Sequence, residues 1–345
     1  MKTTDFDYEL PPSFIAQTPA EPRDSAKLMV LNRADGLISH HIFREISDFL
    51  QSGDLLVVNH TRVIPARMFA RKIPTGGKIE VFLLRQRGPA LWETLVRGKG
   101  MGVGKRLTLL NRAGEMTNIT GEIVEVDATH RVIRFSTPLE PVLPGVGHVP
   151  LPPYIHDHSA PEKRYQTIYA KKQGSVAAPT AGLHFTESLM TTLREQGVNV
   201  AEVTLHIGLD TFAPVNEDDP REHHIHSEWC QLSAETADQI NQTKRNGGRV
   251  ICVGTTSVRT VETAAQNATT DTWVQPWEGP TNLYILPGYD FRAVDAMITN
   301  FHLPKSTLIM MISALVGRET ILGAYEEAKA QGYRFYSFGD AMLIL

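Results

Sequence analysis

Histidines and short hydroxyl-rich loops are the groups in this chain whose spacing could do chemistry. The densest titratable run is Glu222-His223-His224-Ile225-His226-Ser227-Glu228. Its spacing is neither H-E-x-x-H nor another standard zinc pattern, and consecutive histidines diverge, so it reads as an acid–base or hydrogen-bonding run and no metal site is expected. His184, His206 and His302 each follow a strand-like or small-residue stretch, where their side chains could converge on one site. The plainer reading of each is a satisfied core histidine. Gly254-Thr255-Thr256-Ser257 stands at a strand-to-helix junction, where free N–H groups, hydroxyls and the helix dipole suit a carboxylate or phosphate. An ordinary N-cap with a surface Arg259–Glu262 pair is the alternative there. The chain has no Walker A lysine at this junction, no G-x-G-x-x-G and no G-x-S-x-G, so nucleoside triphosphate, dinucleotide and serine acyl-transfer readings lose support. Methyl transfer stays open, because its nucleotide loops vary widely.

These groups need elements to hold them. Gly174 to Phe185 is a run of small residues in which Gly174 and Gly182 can take φ > 0 and Pro179 biases Ala178 away from helix, giving an ordered, extended loop. Thr186-Glu187 then caps a helix running to about Gly197. Leu55–Asn59 is a buried strand delivering Asn59-His60-Thr61-Arg62 at its carboxyl end, where α/β folds bind ligands. A strand is expected at Lys27–Leu31 and an amphipathic helix at Ile42–Leu50. From residue 154, strands at 198–207, 249–253 and 294–299 alternate with helices after Ser233, Gly254 and Ser306 and from about Glu319, and 333–338 reads as the closing strand. Between 66 and 150 the texture changes to short strand-like runs (78–84, 92–96, 106–110, 121–126, 131–135) with turn residues between them. The expected architecture is α/β: a barrel-like main domain over 1–65 and 151–345 with a small all-β barrel inserted at 66–150.

Composition narrows the class. The chain has 345 residues, 42% hydrophobic and 21% charged, ordinary for a globular protein. Its net charge of -4 argues against a general nucleic-acid coat, although Arg62/Arg67/Arg71/Lys72, Lys99/Lys105/Arg106 and Lys163/Arg164/Lys171/Lys172 cluster. Cys230 and Cys252 form no metal or disulfide framework, no apolar run suits a bilayer, and the first residues hold no signal segment. A cytoplasmic protein is expected.

Taken together, several stretches resemble the S-adenosylmethionine:tRNA ribosyltransferase-isomerases of the queuosine pathway. They run in order through the chain: 5–11, 53–59 with 61–67, 77–81, 150–155, 165–167, 177–185, 203–206, 226–228, 253–259, 299–304 with 306–308, and 333–335 with 339–342. The resemblance implies the fold stated above. It also implies transfer and rearrangement of the ribosyl part of S-adenosylmethionine onto 7-aminomethyl-7-deazaguanine in tRNA, giving epoxyqueuosine-tRNA, adenine and methionine. S-adenosylmethionine would be a consumed substrate, with no bound cofactor, metal or membrane partner, and a monomer is favoured. The alternatives are a tRNA-binding protein without catalysis and a tRNA methyltransferase using S-adenosylmethionine. The chain departs from the family's usual residues at His60, Asp210, Ala213, Ile225 and Arg97–Lys105.

In such a reaction the sulfonium acidifies the C5′ hydrogens, a base removes one, and adenine leaves more easily when protonated. His184 and His206 are the acid–base candidates, with His226, Glu228 and Asp340 beside them; Glu228 or Asp340 would balance the sulfonium. Thr255, Thr256 and Ser257, helped by Arg259 or Arg62, would hold the methionine carboxylate. Asn59, Thr61, Thr180, Gly182, Asn300 and His302 would complete the substrate pocket. The tRNA would meet the basic clusters of the insert and Lys163–Lys172.

Overall fold

The computed structural model describes residues 1–127, 130–157, 159–208 and 214–345. The chain divides into two compact units, one of 1–62, 152–172 and 178–345, the other of 63–151 and 173–177. The sequence boundaries leave 173–177 in the main domain. In the structure the Ile64 N–H donates to the Ser175 carbonyl at 2.9 Å, and this segment belongs with the second unit.

The main unit is built on nine strands: β1 (Lys27–Leu31), β2 (Ile38–Ile42), β3 (Leu55–Asn59), β4 (Asn199–Leu205), β5 (Glu228–Leu232), β6 (Val250–Val253), β7 (Trp277–Thr281), β8 (Ala296–Asn300) and β9 (Ala341–Ile344). Their order is β7-β5-β4-β3-β6-β8-β9-β1-β2. β4, β3, β6 and β8 are mutually parallel, as are β9 and β1; the remaining neighbours are antiparallel. Val250–Val253 is apolar throughout and Leu55–Asn59 is apolar up to its last residue, because both faces of these strands are covered. Leu55, Val57, Val250 and Cys252 enter one core, and Leu56, Val58, Ile251 and Val253 the other, as the two-residue pleat requires. Helices α2 (Ala234–Arg245), α3 (Thr255–Ala265), α4 (Thr307–Val316) and α5 (Arg318–Ala330) supply the first core; α1 (Glu187–Glu195) and a 3-10 turn at Phe43–Asp48 supply the second. Thr186, Ser233 and Ser306 cap α1, α2 and α4 by accepting the N–H groups of Leu189, Thr236 and Ile309. No single helix among the described residues is long and apolar enough to cross a membrane.

Two element assignments change. The expected helix at 42–50 is the end of β2 followed by the 3-10 turn, because Ile42 pairs with Lys27 and the Glu45 carboxylate accepts the Ile42 N–H at 3.2 Å. Residues 333–338 do not form the closing strand: Tyr336 has φ 69°, and β9 takes that place with its four buried apolar residues.

The second unit is a six-stranded antiparallel barrel of 67–73, 78–88, 91–97, 130–135, 116–127 and 106–110, taken in the order of pairing, and it closes where 106–110 returns to 67–73. Inward residues alternate, as in Met68 and Ala70, or Ile79, Val81 and Leu83.

Candidate active site

The parallel pairing of β4, β3, β6 and β8 brings their carboxyl ends to one side of the sheet. A cavity opens there, with about 640 Å³ of space counting its mouth and the solvent in it. Three loops wall it: Ala178–Ala181, Gly254–Thr256 after β6, and Thr299–Leu303 after β8. Tyr154, Ile207, Ser306, Leu308, Tyr336 and Ser337 complete the lining.

Each wall has a local cause. Gly254 sits at φ 86° and caps α3 without a side chain, so the helix start comes to the cavity with its dipole and the Thr255 and Thr256 amides. Pro179 leads into a 3-10 turn at Thr180–His184 rather than a wholly extended loop. Gly182 has no positive φ there; a Cβ would lie 2.0 Å from the Tyr169 hydroxyl oxygen, so close packing alone demands glycine. The Thr180 hydroxyl donates to Asn300 Oδ1 at 3.1 Å, and Asn300 Nδ2 donates to the Tyr336 carbonyl at 3.2 Å. That chain of bonds ties three walls together. Tyr336 holds its left-handed φ at the cavity edge, a cost that clusters at functional sites.

His302 is the one histidine lining this cavity among the described residues. Its Nε2 lies 2.7 Å from Thr299 Oγ1, its N–H donates to the Tyr325 hydroxyl at 2.9 Å, and its carbonyl accepts from the Tyr8 hydroxyl. Burial pushes its pKa down to about 3, so the ring is uncharged at neutral pH.

The other histidine candidates lie elsewhere. His184 is buried beneath the loop and does not line the cavity; Nδ1 lies 3.1 Å from the Ala181 carbonyl, Nε2 2.9 Å from the Gly339 carbonyl, and the ring stacks on Phe43. Burial depresses its pKa, against the two carbonyls, which favour the charged form. With both nitrogens engaged, it pins the 180–184 turn to the C-terminal segment. His206 Nδ1 lies 2.9 Å from Thr61 Oγ1, and its ring stacks on Trp229, over which Lys172 Nζ sits at 4.5 Å. Burial, with Lys172 and His60 adding, pushes His206 down to about 4.

Several expected ligand groups are committed to the scaffold. Asp340 accepts the backbone N–H groups of Lys27 and Arg334 and pairs with the Arg334 side chain. Asn59 is fully buried and bonds Leu205 and Thr61 backbone groups and Thr256 Oγ1. Ser257 donates back to the Val253 carbonyl, and Arg62 is exposed, donating to the Ala170 carbonyl. His226, Glu228 and Arg259 line a second cavity that meets the first at Leu308. There Arg259 pairs with Glu228, both nearly fully buried, while the Gly208 N–H donates to Glu228 Oε1 at 2.9 Å. Ile225 is in this lining too; His60 bonds Glu202 and Thr204, and Asp210 and Ala213 lie outside the described residues.

Tyr336 and Ser337 are lining residues outside every matched stretch, and Tyr154, inside 150–155, was given no role in the site. Tyr154 lies far in sequence from the adjacent Tyr336 and Ser337, and the Tyr154–Ser337 bond of 2.7 Å and the 4.7 Å Tyr154–Tyr336 ring contact bring them together. Among the described residues no group of three or more His, Cys, Asp or Glu could hold a metal ion.

Comparison with known proteins adds independent findings. A family model described as queuosine biosynthesis protein matches residues 3–344. The S-adenosylmethionine:tRNA ribosyltransferase-isomerases of Symbiobacterium thermophilum and Desulfitobacterium hafniense are each 50% identical to this chain, over 100% of both chains. A crystal structure of S-adenosylmethionine tRNA ribosyltransferase from Thermotoga maritima is 38% identical, covers 99% of this chain and 100% of its own, and superposes with a TM-score of 0.57.

Proposed function

The chain belongs to the queuosine biosynthesis protein family, and from that premise we propose that it transfers and isomerises the ribosyl moiety of S-adenosylmethionine onto 7-aminomethyl-7-deazaguanine in tRNA. The products are epoxyqueuosine-tRNA, adenine and methionine. S-adenosylmethionine is a consumed substrate, and the enzyme works as a cytoplasmic monomer. The observation that carries the siting of this chemistry is the cavity at the strand ends, which joins an aromatic edge, a helix start and one uncharged imidazole.

The adenine ring is assigned to the Tyr154/Tyr336/Phe301 side, where flat apolar faces suit it. The methionine carboxylate is assigned to the Thr255 and Thr256 amides at the start of α3. His302 takes the acid–base role first given to His184 and His206. An uncharged imidazole can sit beside a sulfonium without like-charge repulsion. Uncharged at neutral pH, it can accept the C5′ proton that the sulfonium acidifies, and its conjugate acid can then pass that proton to departing adenine. The aminomethyl nitrogen, as the free amine, is the nucleophile that joins the tRNA base to the sugar.

The test is to mix the protein with precursor-bearing tRNA and S-adenosylmethionine and analyse the small molecules released. Adenine and methionine, formed only when tRNA is present, support the proposal. S-adenosylhomocysteine would mean methyl transfer, and tRNA binding without any product would mean a binding protein.

A further inference from the structure

The net charge of the chain conceals a split. Residues 63–151 hold 13 Lys and Arg against 7 Asp and Glu, a net of +6, which leaves -10 for all other residues. Within the barrel the bases are not evenly used. Arg85 and Arg87 are held by Glu93, and Arg87 also by Glu125. Seven of the others collect through strand register. Arg71 lies opposite Lys78, Ile73 opposite Arg106, and Glu80 opposite Arg97. The Lys72 ammonium reaches the Lys99 carbonyl, bringing the 98–105 loop onto the same strand ends. Arg71, Lys72, Lys78, Arg97, Lys99, Lys105 and Arg106 therefore share one end of the barrel; the acids of these strand ends are Glu80, held by Arg67 and Arg97, with Glu122 and Asp127.

The loop that crowns this end is Arg97-Gly98-Lys99-Gly100-Met101-Gly102-Val103-Gly104-Lys105-Arg106. Met101 is buried and anchors its middle, while Val103 is 64% exposed. A Cβ at Gly98 would lie 2.5 Å from Ile79 Cγ2, so the loop lies tightly on the barrel at its base. At Gly100, Gly102 and Gly104 an added Cβ would meet nothing within 4 Å, so this face of the loop is open between four cations, while the Gly104 N–H, donating to the Ile123 carbonyl at 2.8 Å, ties the loop to the barrel. An open loop face flanked by exposed cations fits a phosphodiester chain, which is recognised through its phosphates rather than base edges.

We infer that this end of the barrel, centred on the 97–106 loop, is a docking surface for the sugar-phosphate backbone of RNA. The inference rests on the proposed function for the identity of the RNA as tRNA, but its test needs no turnover. Binding of tRNA alone is measured against salt for the native protein, for Lys99→Gln/Lys105→Gln/Arg106→Gln, and for the control Arg85→Gln/Arg87→Gln. The control residues lie seven to nine positions along the strand from Lys78, roughly 25–30 Å away. Removing three phosphate contacts lowers the slope of log K against log salt by about 2 to 3, so between 50 and 200 mM salt the native protein loses roughly 30-fold more affinity than the loop variant. The control keeps the native slope. Because the altered side chains are exposed, the fold is expected to persist; hydroxyl-radical footprinting of the unaltered protein, in which tRNA shields 97–106, makes the same point without a substitution. An unchanged slope in the loop variant, an equal fall in the control, or a loop left unshielded by tRNA would overturn the inference. If the native protein releases no adenine, the functional proposal fails while this surface remains testable.

Discussion

Acid should weaken the main unit in proportion to the histidines it buries uncharged, and His302 allows the effect to be isolated. An unfolded histidine titrates near 6.5, whereas burial holds His302 down to about 3. Between these values the unfolded chain binds a proton that the folded chain refuses, so stability is fully present above about pH 6.5 and is lost as pH falls, by about 1.4 kcal/mol per pH unit. From pH 6.5 to 5 the loss through His302 is about 2 kcal/mol. His206, held down to about 4 and partly open to solvent, adds a somewhat smaller loss over the same range. Urea unfolding of the native protein and of His302→Gln at several pH values and fixed ionic strength measures the difference. Glutamine keeps a polar partner for Thr299 but does not titrate. The variant's stability should change less steeply between pH 6.5 and 5, by close to one proton. Parallel profiles for the two proteins would refute the claim that His302 is an uncharged, desolvated imidazole.

Other substitutions test the walls of the two cavities. Arg259→Met removes the counter-charge of the Glu228 carboxylate, whose side chain is 7% exposed, and should cost about 3–5 kcal/mol in urea unfolding; adding Glu228→Met should recover much of that loss. A double variant no more stable than the single one would contradict this. Gly182→Ala drives a methyl group onto the Tyr169 hydroxyl and should destabilise by about 1–3 kcal/mol, with Tyr169→Phe in the same chain restoring part of it. Thermal unfolding reads both steps, and a harmless Gly182→Ala would show that the loop packs differently.

Much of the frame was legible because its signals are local. Leu55–Asn59 and Val250–Val253 read as buried strands from unbroken apolar runs, and Thr186 and Ser233 announce their helices by capping chemistry. The barrel showed itself as short strands without helical periodicity, although 67–73 was missed because only Met68 and Ala70 of its seven residues are buried. At 42–50 the apolar spacing fits a helix, and the pairing of Ile42 with Lys27 and the Glu45–Ile42 bond, both tertiary or local contacts outside that spacing, set a strand end and a 3-10 turn instead. The candidate site was legible in its loops but less so in its roles. Thr180, Thr255, Thr256, Asn300 and His302 do meet at one cavity. His184 and Asp340 carry the residue types catalysis needs, yet their polar atoms are turned to backbone groups. Whether a histidine faces a cavity or a carbonyl depends on tertiary packing, which spacing does not encode. Tyr336 was invisible for the same reason, since its place follows from a positive φ that aromatic residues rarely adopt.

The assignment of proton transfer to the cavity histidine is tested most directly by single-turnover adenine release. His302→Gln and His184→Gln would be compared at saturating S-adenosylmethionine and precursor-bearing tRNA, with affinity for each substrate measured separately. The account predicts that His302→Gln slows adenine release about 10²- to 10⁴-fold while both substrates still bind, and that His184→Gln, which alters a turn and leaves the cavity histidine in place, changes it less than tenfold. Native-like release from His302→Gln, or collapse of the rate in a folded His184→Gln, would contradict it.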